Sequence, residues 1–164
     1  MDGLITRPAH TGDLVAINDI YNHYVLTSTA TYQVEPEPIE GRLAWFAAHD
    51  ATHPVVVAEV DGHVLGWGAL APFHEREAYA HTVEDSVYVH HQRHRLGIGA
   101  AILAELIRLG QEFGHRTVIA GIDSEQAPSI ALHERYGFVP VGRLKEAGYK
   151  FGRWLDVIYM QRML

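Results

Sequence analysis

The residues best suited to chemistry lie together in the middle of the chain. The segment Thr82–Val89 alternates in polarity and is rich in β-branched residues, which predicts a strand that carries the carboxylate of Glu84. A partly desolvated carboxylate on a strand within a sheet can accept a proton from a reacting group, as a general base does. A solvated surface carboxylate is the alternative interpretation. The residue types alone leave both open.

A turn with two glycines follows this strand. Gly97 and Gly99 precede a strongly helical pattern that runs to Phe113. At such a turn backbone N–H groups can face an anion, and the helix N-terminus adds about half a positive charge, so a diphosphate would fit. A tight helix start with close packing explains the same glycines. The turn lacks the third glycine of a dinucleotide fingerprint and the Gly-Lys-Ser/Thr of a P-loop, which disfavours both nucleotide sites.

The elements that must position these residues form a mixed sheet with interposed helices. Apolar spacing along the chain predicts the order β-α-α-β-β-β-α-β-α-β-β, an α/β (α+β) architecture. Two β-rich runs separated by Asp61-Gly62 predict a hairpin, and the closing strands are expected over Val139–Leu144 and Leu155–Met160. A regular βαβα alternation is absent from the pattern, so a doubly wound Rossmann fold is disfavoured.

Length and composition exclude several classes of protein. With 164 residues and 48% apolar residues, the chain is expected to fold as one domain, 1–164. Its net charge of -7 repels phosphates, which disfavours nucleic acid as a partner. Without a cysteine it has no disulfide and no thiolate nucleophile. Because the sequence shows neither a long apolar run nor an apolar signal segment, we expect no membrane contact and a cytoplasmic location.

Short motifs in a fixed order run through nearly the whole chain. They are Ile20-Tyr21-Asn22, Thr29-Ala30-Thr31-Tyr32, Ala78-Tyr79, Thr82–Val89, Gly97-Ile98-Gly99, Pro128-Ser129-Ile130-Ala131-Leu132-His133-Glu134, Gly137-Phe138 and Lys150–Val157. In this series the chain resembles the GNAT superfamily of acetyl-CoA-dependent N-acetyltransferases. Within that superfamily it is most similar to the phosphinothricin and methionine sulfoximine acetyltransferases.

The resemblance implies a GNAT fold whose central sheet is splayed to admit acetyl-CoA. The residues that would contact the cofactor are Val87, Tyr88 and Val89 along the pantetheine, His94, Arg95, Leu96, Gly97, Ile98, Gly99 and Ala100 around the pyrophosphate, and Gln126. This placement agrees with the anion-binding turn inferred above. The chain departs from the family in two places, since His94 stands where Gln or Arg is usual and Gln126 where Asn is usual. His94 can still donate a hydrogen bond.

The resemblance also implies catalytic roles. Glu84 would be the base that deprotonates the attacking amine. His133 takes the place in which many GNAT enzymes have a tyrosine that protonates the departing thiolate, so it is a candidate acid, although packing explains a helix histidine equally well. Tyr88 and Tyr136 are further options for the acid, and a backbone N–H near Tyr88 would stabilise the oxyanion. Asp85 points to the opposite strand face and is expected to be structural.

The segment before this strand is the candidate acceptor site. In family terms Arg76, Glu77, Ala78 and Tyr79 border the amino-acid acceptor, and Arg76 would pair with its α-carboxylate. A surface ion pair between Arg76 and a neighbouring glutamate is the alternative. Tyr32 and Trp67 are expected either to line the pocket or to pack in the core.

These features predict transfer of an acetyl group to the α-amino group of a small amino-acid-like acceptor. Two alternatives stay open. One is a different amine, such as a protein N-terminus, a polyamine or an aminoglycoside, which the acidic net charge would attract. The other is a non-catalytic acyl-CoA-binding module, which the departures at His94 and Gln126 suggest.

Two further expectations concern metals and assembly. The chain has twelve histidines, of which His90, His91 and His94 lie in one turn region, but no metal-ligand spacing accompanies them, so no metal is expected. A homodimer is predicted from the family resemblance and from the aromatic residues Trp154 and Tyr159 on the closing strands, which association would bury.

Overall fold

A computed structural model of the chain describes residues 3–164, and the predicted order of elements is confirmed. The strands are β1 (Ile5–Pro8), β2 (Val55–Val60), β3 (His63–Pro72), β4 (Thr82–Val89), β5 (Thr117–Asp123), β6 (Val139–Lys150) and β7 (Arg153–Met163). The helices are α1 (Leu14–Thr27), α2 (Ile39–Ala47), α3 (Ile98–Glu112) and α4 (Ala127–Arg135), with short 3-10 turns at Thr11–Asp13, Glu77–Tyr79 and His91–Arg93. Among these residues, no helix has both the length and the apolar character that crossing a bilayer requires.

The seven strands form one mixed sheet that opens at its centre. Its order is β1-β2-β3-β4-β5-β7-β6, and β4 with β5 is its parallel pair. That pairing covers only Thr82–Glu84 against Thr117–Ile119, although both strands continue for several residues beyond it. From Asp85 to Val89, β4 keeps its antiparallel partner β3 on one side, and no strand of the described residues pairs with it on the other. The predicted splay therefore begins directly after Glu84.

The hairpins explain where the strand boundaries fall. Asp61 and Gly62 both have positive φ, 50° and 77°, as the twist of a two-residue hairpin turn requires. The closing strands are longer than predicted, because a second tight turn at Phe151-Gly152 joins β6 directly to β7. The pairing of β6 shifts register between Pro140 and Gly142 and again between Leu144 and Gly148. These register shifts interrupt the alternation of polar and apolar residues from which a strand is predicted, so the predicted strand ended at Leu144.

Each face of the sheet is covered by a different helix layer. Helix α3 buries Ile102, Leu103 and Leu106 on one face, in a cluster that includes Val83 of β4. Helix α1 buries Leu14, Ile17 and Ile20 on the other face, around Trp67. Tyr88 of β4 packs against the α1 cluster. Because side chains alternate along a strand, Glu84 and Ser86 lie on the same face of β4 as Tyr88. The candidate base therefore lies on the α1 side of the sheet.

Candidate active site

A cleft of about 780 Å³ lies between strands β4 and β5, where they separate. The predicted residues that line it are Glu84, Val87, Tyr88, Val89, His94, Arg95, Gly97, Ile98, Gly99, Ala100, Gln126 and His133. Leu96 lies outside the lining and is exposed. The fold thus brings both candidate catalytic residues and nearly all the predicted cofactor contacts to one cavity.

Glu84 lies at the vertex of this cleft. It pairs with Ile119 in the last step of the β4–β5 ladder. Burial, together with the negative charge of Asp85, raises the pKa of Glu84. Next to it Gly121 also lines the cleft, and a Cβ there would crowd both neighbours, because it would lie 3.4 Å from Glu84 Oε1 and 3.3 Å from a ring carbon of Tyr159. A half-buried carboxylate of raised pKa in the wall of a cleft has the properties that a general base needs.

The glycine turn is open for an anion. Arg95 and Gly97 both adopt the left-handed conformation, with φ of 62° and 83°, and α3 begins at Ile98 without a side-chain cap. The first N–H groups of a helix have no partner within the helix. Gly97 to Ala100 line the cleft, so the first N–H groups of α3 lie at its wall with hydrogen-bonding capacity to spare.

Tyr24 fastens this turn to the end of β4. Its hydroxyl donates to the carbonyl oxygen of Val89, and the Nε2 atom of His94 lies 2.7 Å from the same hydroxyl oxygen. Because the Tyr24 proton is directed at Val89, His94 Nε2–H acts as the donor. Burial raises the pKa of Tyr24 to about 12, so the hydroxyl keeps its proton. The unusual His94 is thus part of the structure of the turn, and Tyr24 is a residue of the site that no sequence signal singled out.

His133 forms a buried ion pair with Asp85. Its Nδ1 lies 2.8 Å from the carbonyl oxygen of Ser129, and its Nε2 lies 3.0 Å from Asp85 Oδ2. Both partners are acceptors, so both ring nitrogens carry hydrogen. Burial by itself lowers the pKa of His133, but the hydrogen bond to Asp85 and its charge outweigh that effect, and the pKa is raised. This geometry fits the packing interpretation, and the acid role of His133 stays a prediction.

A hydrogen-bonded network forms the β5 side of the cleft. Asp123 accepts from Thr29 Oγ1 at 2.6 Å and from the Tyr32 hydroxyl at 2.7 Å. The amide of Gln126 donates to Thr29 Oγ1 at 3.0 Å. These bonds hold the segment after α1 against the end of β5. Tyr32 therefore lines the cleft, one of the two outcomes expected for it, whereas no sequence signal singled out Asp123.

Lys150 secures the same segment from the opposite side. Its ammonium group donates to the carbonyl oxygens of Ser28 and Thr31 at 2.7 and 2.8 Å, and the residue is 4% exposed. Burial lowers the pKa of Lys150. The cation also lies at the C-terminal end of α1, where a positive charge is favourable.

The predicted acceptor segment lies elsewhere. Arg76, Glu77, Ala78 and Tyr79 are all exposed, and none of them lines the cleft of the chain that carries them. Tyr79 instead packs against the ring of Phe73. The acceptor role of this segment stays a prediction that the geometry of one chain does not support.

Of two further aromatic residues, one agrees with expectation and one differs from it. Trp67 of β3 is buried in the core at 2% exposure, one of the two outcomes expected for it. Tyr159, expected in a surface patch with Trp154, lines the cleft, because β7 pairs with β5 and places it opposite Gly121. Trp154 is 62% exposed. The patch therefore contains Trp154 without Tyr159.

The imidazole rings of the histidines near the glycine turn stack on one another and do not surround a common point, as metal ligands would. The rings of His23 and His91 are stacked with centroids 3.8 Å apart, and those of His90 and His91 are 4.6 Å apart. Across residues 3–164, no group of three His, Asp or Glu side chains could hold a metal ion.

Comparison with known proteins agrees with this geometry. The Acetyltransferase (GNAT) family matches residues 17–138. The L-amino acid N-acyltransferase of Escherichia coli is 38% identical over 96% of this chain and 92% of its own length. The L-methionine sulfoximine/L-methionine sulfone acetyltransferase of Salmonella typhimurium is 38% identical over 96% of this chain and 93% of its own.

Solved structures extend the comparison to three dimensions. The GNAT phosphinothricin acetyltransferase of Sinorhizobium meliloti, solved with acetyl-CoA, superposes with a TM-score of 0.95 at 38% identity, covering 99% of this chain and 89% of that one. The predicted resemblance is thereby confirmed along the whole sheet. Because the family match and the relatives both extend over most of its length, the chain belongs to the GNAT family of N-acetyltransferases.

Proposed function

We propose that this chain transfers the acetyl group of acetyl-CoA to the α-amino group of a small amino acid. The observation that carries the proposal is Glu84, a carboxylate of raised pKa at the vertex of a cleft that also contains the anion-binding turn. The relatives named above, which act on L-amino acids, methionine sulfoximine or phosphinothricin, support the acceptor class.

The cleft offers suitable contacts to the diphosphate and the pantetheine of acetyl-CoA, which supplies the acetyl group as a thioester. The N–H groups of the turn from Arg95 to Ala100 would bind the diphosphate. The edge of β4 that faces away from β3, from Asp85 to Val89, offers backbone groups to the pantetheine amides. Glu84 would take a proton from the acceptor nitrogen, directly or through water, as the N–C bond forms and the C–S bond breaks.

A panel of amines tests this function. Thiol release is measured with acetyl-CoA and free amino acids, their sulfone and sulfoximine analogues, polyamines, aminoglycosides and a peptide N-terminus. We expect turnover with the amino acids and their analogues. Cofactor binding by calorimetry without turnover of any amine would contradict the proposal and favour a non-catalytic module, whereas a preference for polyamines would favour a cationic acceptor.

The matched variants are Glu84→Gln and Glu40→Gln. Glu40 is an exposed residue of α2 outside the cleft, so its substitution controls for the loss of one negative charge. Only Glu84→Gln is expected to lower the rate of acetylation. If both variants retain the parent rate, Glu84 is not the base.

Homodimer formation is part of the proposal. β6 is one of the two outer strands of the sheet, and exposed apolar residues lie along the β6–β7 hairpin: Val139, Val141, Leu144, Tyr149, Phe151 and Trp154. Exposed apolar surface on an edge strand favours association. Sedimentation at micromolar concentration tests this, and a single 18.3 kDa species would contradict it.

A further inference from the structure

His94 uses one of its two ring nitrogens for a contact within the protein. Its Nε2 lies 2.7 Å from the hydroxyl oxygen of Tyr24, and that hydroxyl donates its own proton to the carbonyl oxygen of Val89. The Nδ1 of His94 has no hydrogen-bond partner among residues 3–164. The side chain is exposed and lines the active-site cleft at the glycine turn, beside Arg95. This second nitrogen is therefore available to a ligand of the cleft.

The contact with Tyr24 decides which nitrogen of His94 carries the hydrogen. A neutral imidazole has one N–H, and its other nitrogen is an acceptor. Because the Tyr24 hydroxyl gives its proton to Val89, the hydrogen of neutral His94 lies on Nε2, and Nδ1 presents a lone pair. The other neutral form would set a lone pair of Nε2 against a lone pair of the hydroxyl oxygen. His94 can thus donate a hydrogen bond from Nδ1 to a phosphate only as an imidazolium.

Neutral or positive groups surround His94. The titratable and charged residues next to it in the turn and on α1 are His23, Tyr24, His90, His91, Arg93 and Arg95. In the described part of the chain none of them forms an ion pair with a carboxylate. Burial lowers the pKa of His23 and of His90, and the positive charges of their neighbours, His94 among them, lower it further. Added positive charge in this turn is therefore unfavourable until an anion neutralises it.

We propose that acetyl-CoA binds with uptake of a proton by His94, so that the affinity of the cleft for its cofactor falls as the pH rises. The inference rests on the proposed function, of which it uses only the binding of the diphosphate at the glycine turn. An anion that accepts a hydrogen bond from Nδ1 favours the imidazolium, and by linkage the imidazolium favours the anion to the same extent. Since imidazoles ordinarily change charge between pH 5 and 8, the effect falls in the physiological range.

The test counts the protons that binding takes up. Calorimetry is carried out in MOPS and in imidazole buffer, because the difference in their ionisation enthalpies gives the number of protons. The ligand is acetyl-dephospho-CoA, which keeps the diphosphate but lacks the 3′-phosphate, a group that itself titrates near pH 6. We expect the parent to take up a fraction of one proton at pH 7 and its affinity to fall roughly 10-fold between pH 6 and pH 8.5, as the loss of a charged hydrogen bond predicts.

His94→Gln is the discriminating variant. A glutamine amide donates hydrogen bonds without titrating, so the variant should lose most of the proton uptake and bind the ligand almost equally well at pH 6 and pH 8.5. His91→Gln is the matched control, since His91 is exposed, adjoins the same turn and lies outside the lining of the cleft, and it should behave as the parent does. The other charged or titratable groups at the cleft are the same in all three proteins, among them Glu84, Asp85, Asp123, His133 and Arg135.

Equal proton uptake by the parent and His94→Gln would overturn the proposal, and so would an equal loss of uptake in His91→Gln. If His94→Gln does not fold, nitrogen NMR of the parent decides: the His94 Nδ1 signal should change from a bare nitrogen to an N–H when the ligand is added, and an unchanged signal would overturn the proposal. No acceptor amine is present, so proton uptake in a protein that acetylates no amine would refute the acetyl transfer but support the His94 proposal. A parent that does not bind the ligand would overturn both.

Discussion

The substitution Lys150→Met tests how the cleft is held together. The chain has two lysines, and Lys150 is the buried one. Its ammonium group donates two short hydrogen bonds, to the carbonyl oxygens of Ser28 and Thr31. A hydrogen bond to a charged group contributes about 1.5–3 kcal/mol. Methionine fills a similar volume but leaves both carbonyl groups without this donor.

The expected loss follows from those two bonds. Desolvation of the ammonium group, which methionine avoids, offsets part of their contribution, so we expect the free energy of unfolding to fall by about 3 kcal/mol. In a domain of this size about 2–4 °C of melting temperature corresponds to 1 kcal/mol, which gives a decrease of roughly 6–12 °C. Thr29 and Tyr32 lie in the segment that Lys150 secures and line the cleft, so the KM for acetyl-CoA or the acceptor should rise as well.

The assay combines thermal and urea denaturation with steady-state kinetics. Lys145→Met is the matched control, because Lys145 lies on the same strand and is exposed. If Lys150→Met melts within about 2 °C of the parent, or no lower than the control, the two hydrogen bonds do not hold the segment and the reasoning is refuted.

Three further substitutions test the site. Glu84→Gln should lower kcat by roughly 10²–10⁴-fold, and parent-like turnover would remove Glu84 from the mechanism. In urea denaturation at neutral pH the variant should be at least as stable as the parent, because the raised pKa of Glu84 means that its ionised form destabilises the fold. The raised pKa of His133 contributes stability that is complete below about pH 6.5 and is lost as the pH rises through the pKa of the folded state. Between pH 6 and 9 the free energy of unfolding should therefore fall more in the parent than in His133→Gln, and parallel pH profiles of the two proteins would contradict the ion pair with Asp85. Gly121→Ala should raise the KM for the acceptor, since the new methyl group would lie 3.4 Å from Glu84 Oε1 and 3.3 Å from Tyr159, while calorimetry shows an unchanged affinity for acetyl-CoA. An unchanged KM would show that the acceptor binds elsewhere.

The sequence by itself determined the features that depend on neighbouring residues. The order of elements, the Asp61-Gly62 hairpin and the glycine turn before α3 all follow from local periodicity and backbone preference. The position of Glu84 on a central strand follows in the same way. The family motifs added the predicted cofactor contacts, of which all but Leu96 line the cleft.

The tertiary structure decided which distant residues meet. Lys150 binds a carbonyl group 122 positions earlier, and His133 pairs with a carboxylate 48 positions earlier, and no local pattern encodes either partner. Tyr159 seemed a surface residue because alternation along β7 does not reveal that it pairs with Gly121 of β5, which lines the cleft.

The same limit applies to the arginines. Arg76 stood out in sequence because it precedes the strand of Glu84, whereas Arg42 lies in a short helix whose spacing suggests only packing. Proximity along the chain says nothing about which guanidinium is buried. Burial and charge pairing depend on every element that surrounds a group, so only the assembled sheet and helices, which enclose Arg42 and leave Arg76 exposed, could distinguish the two.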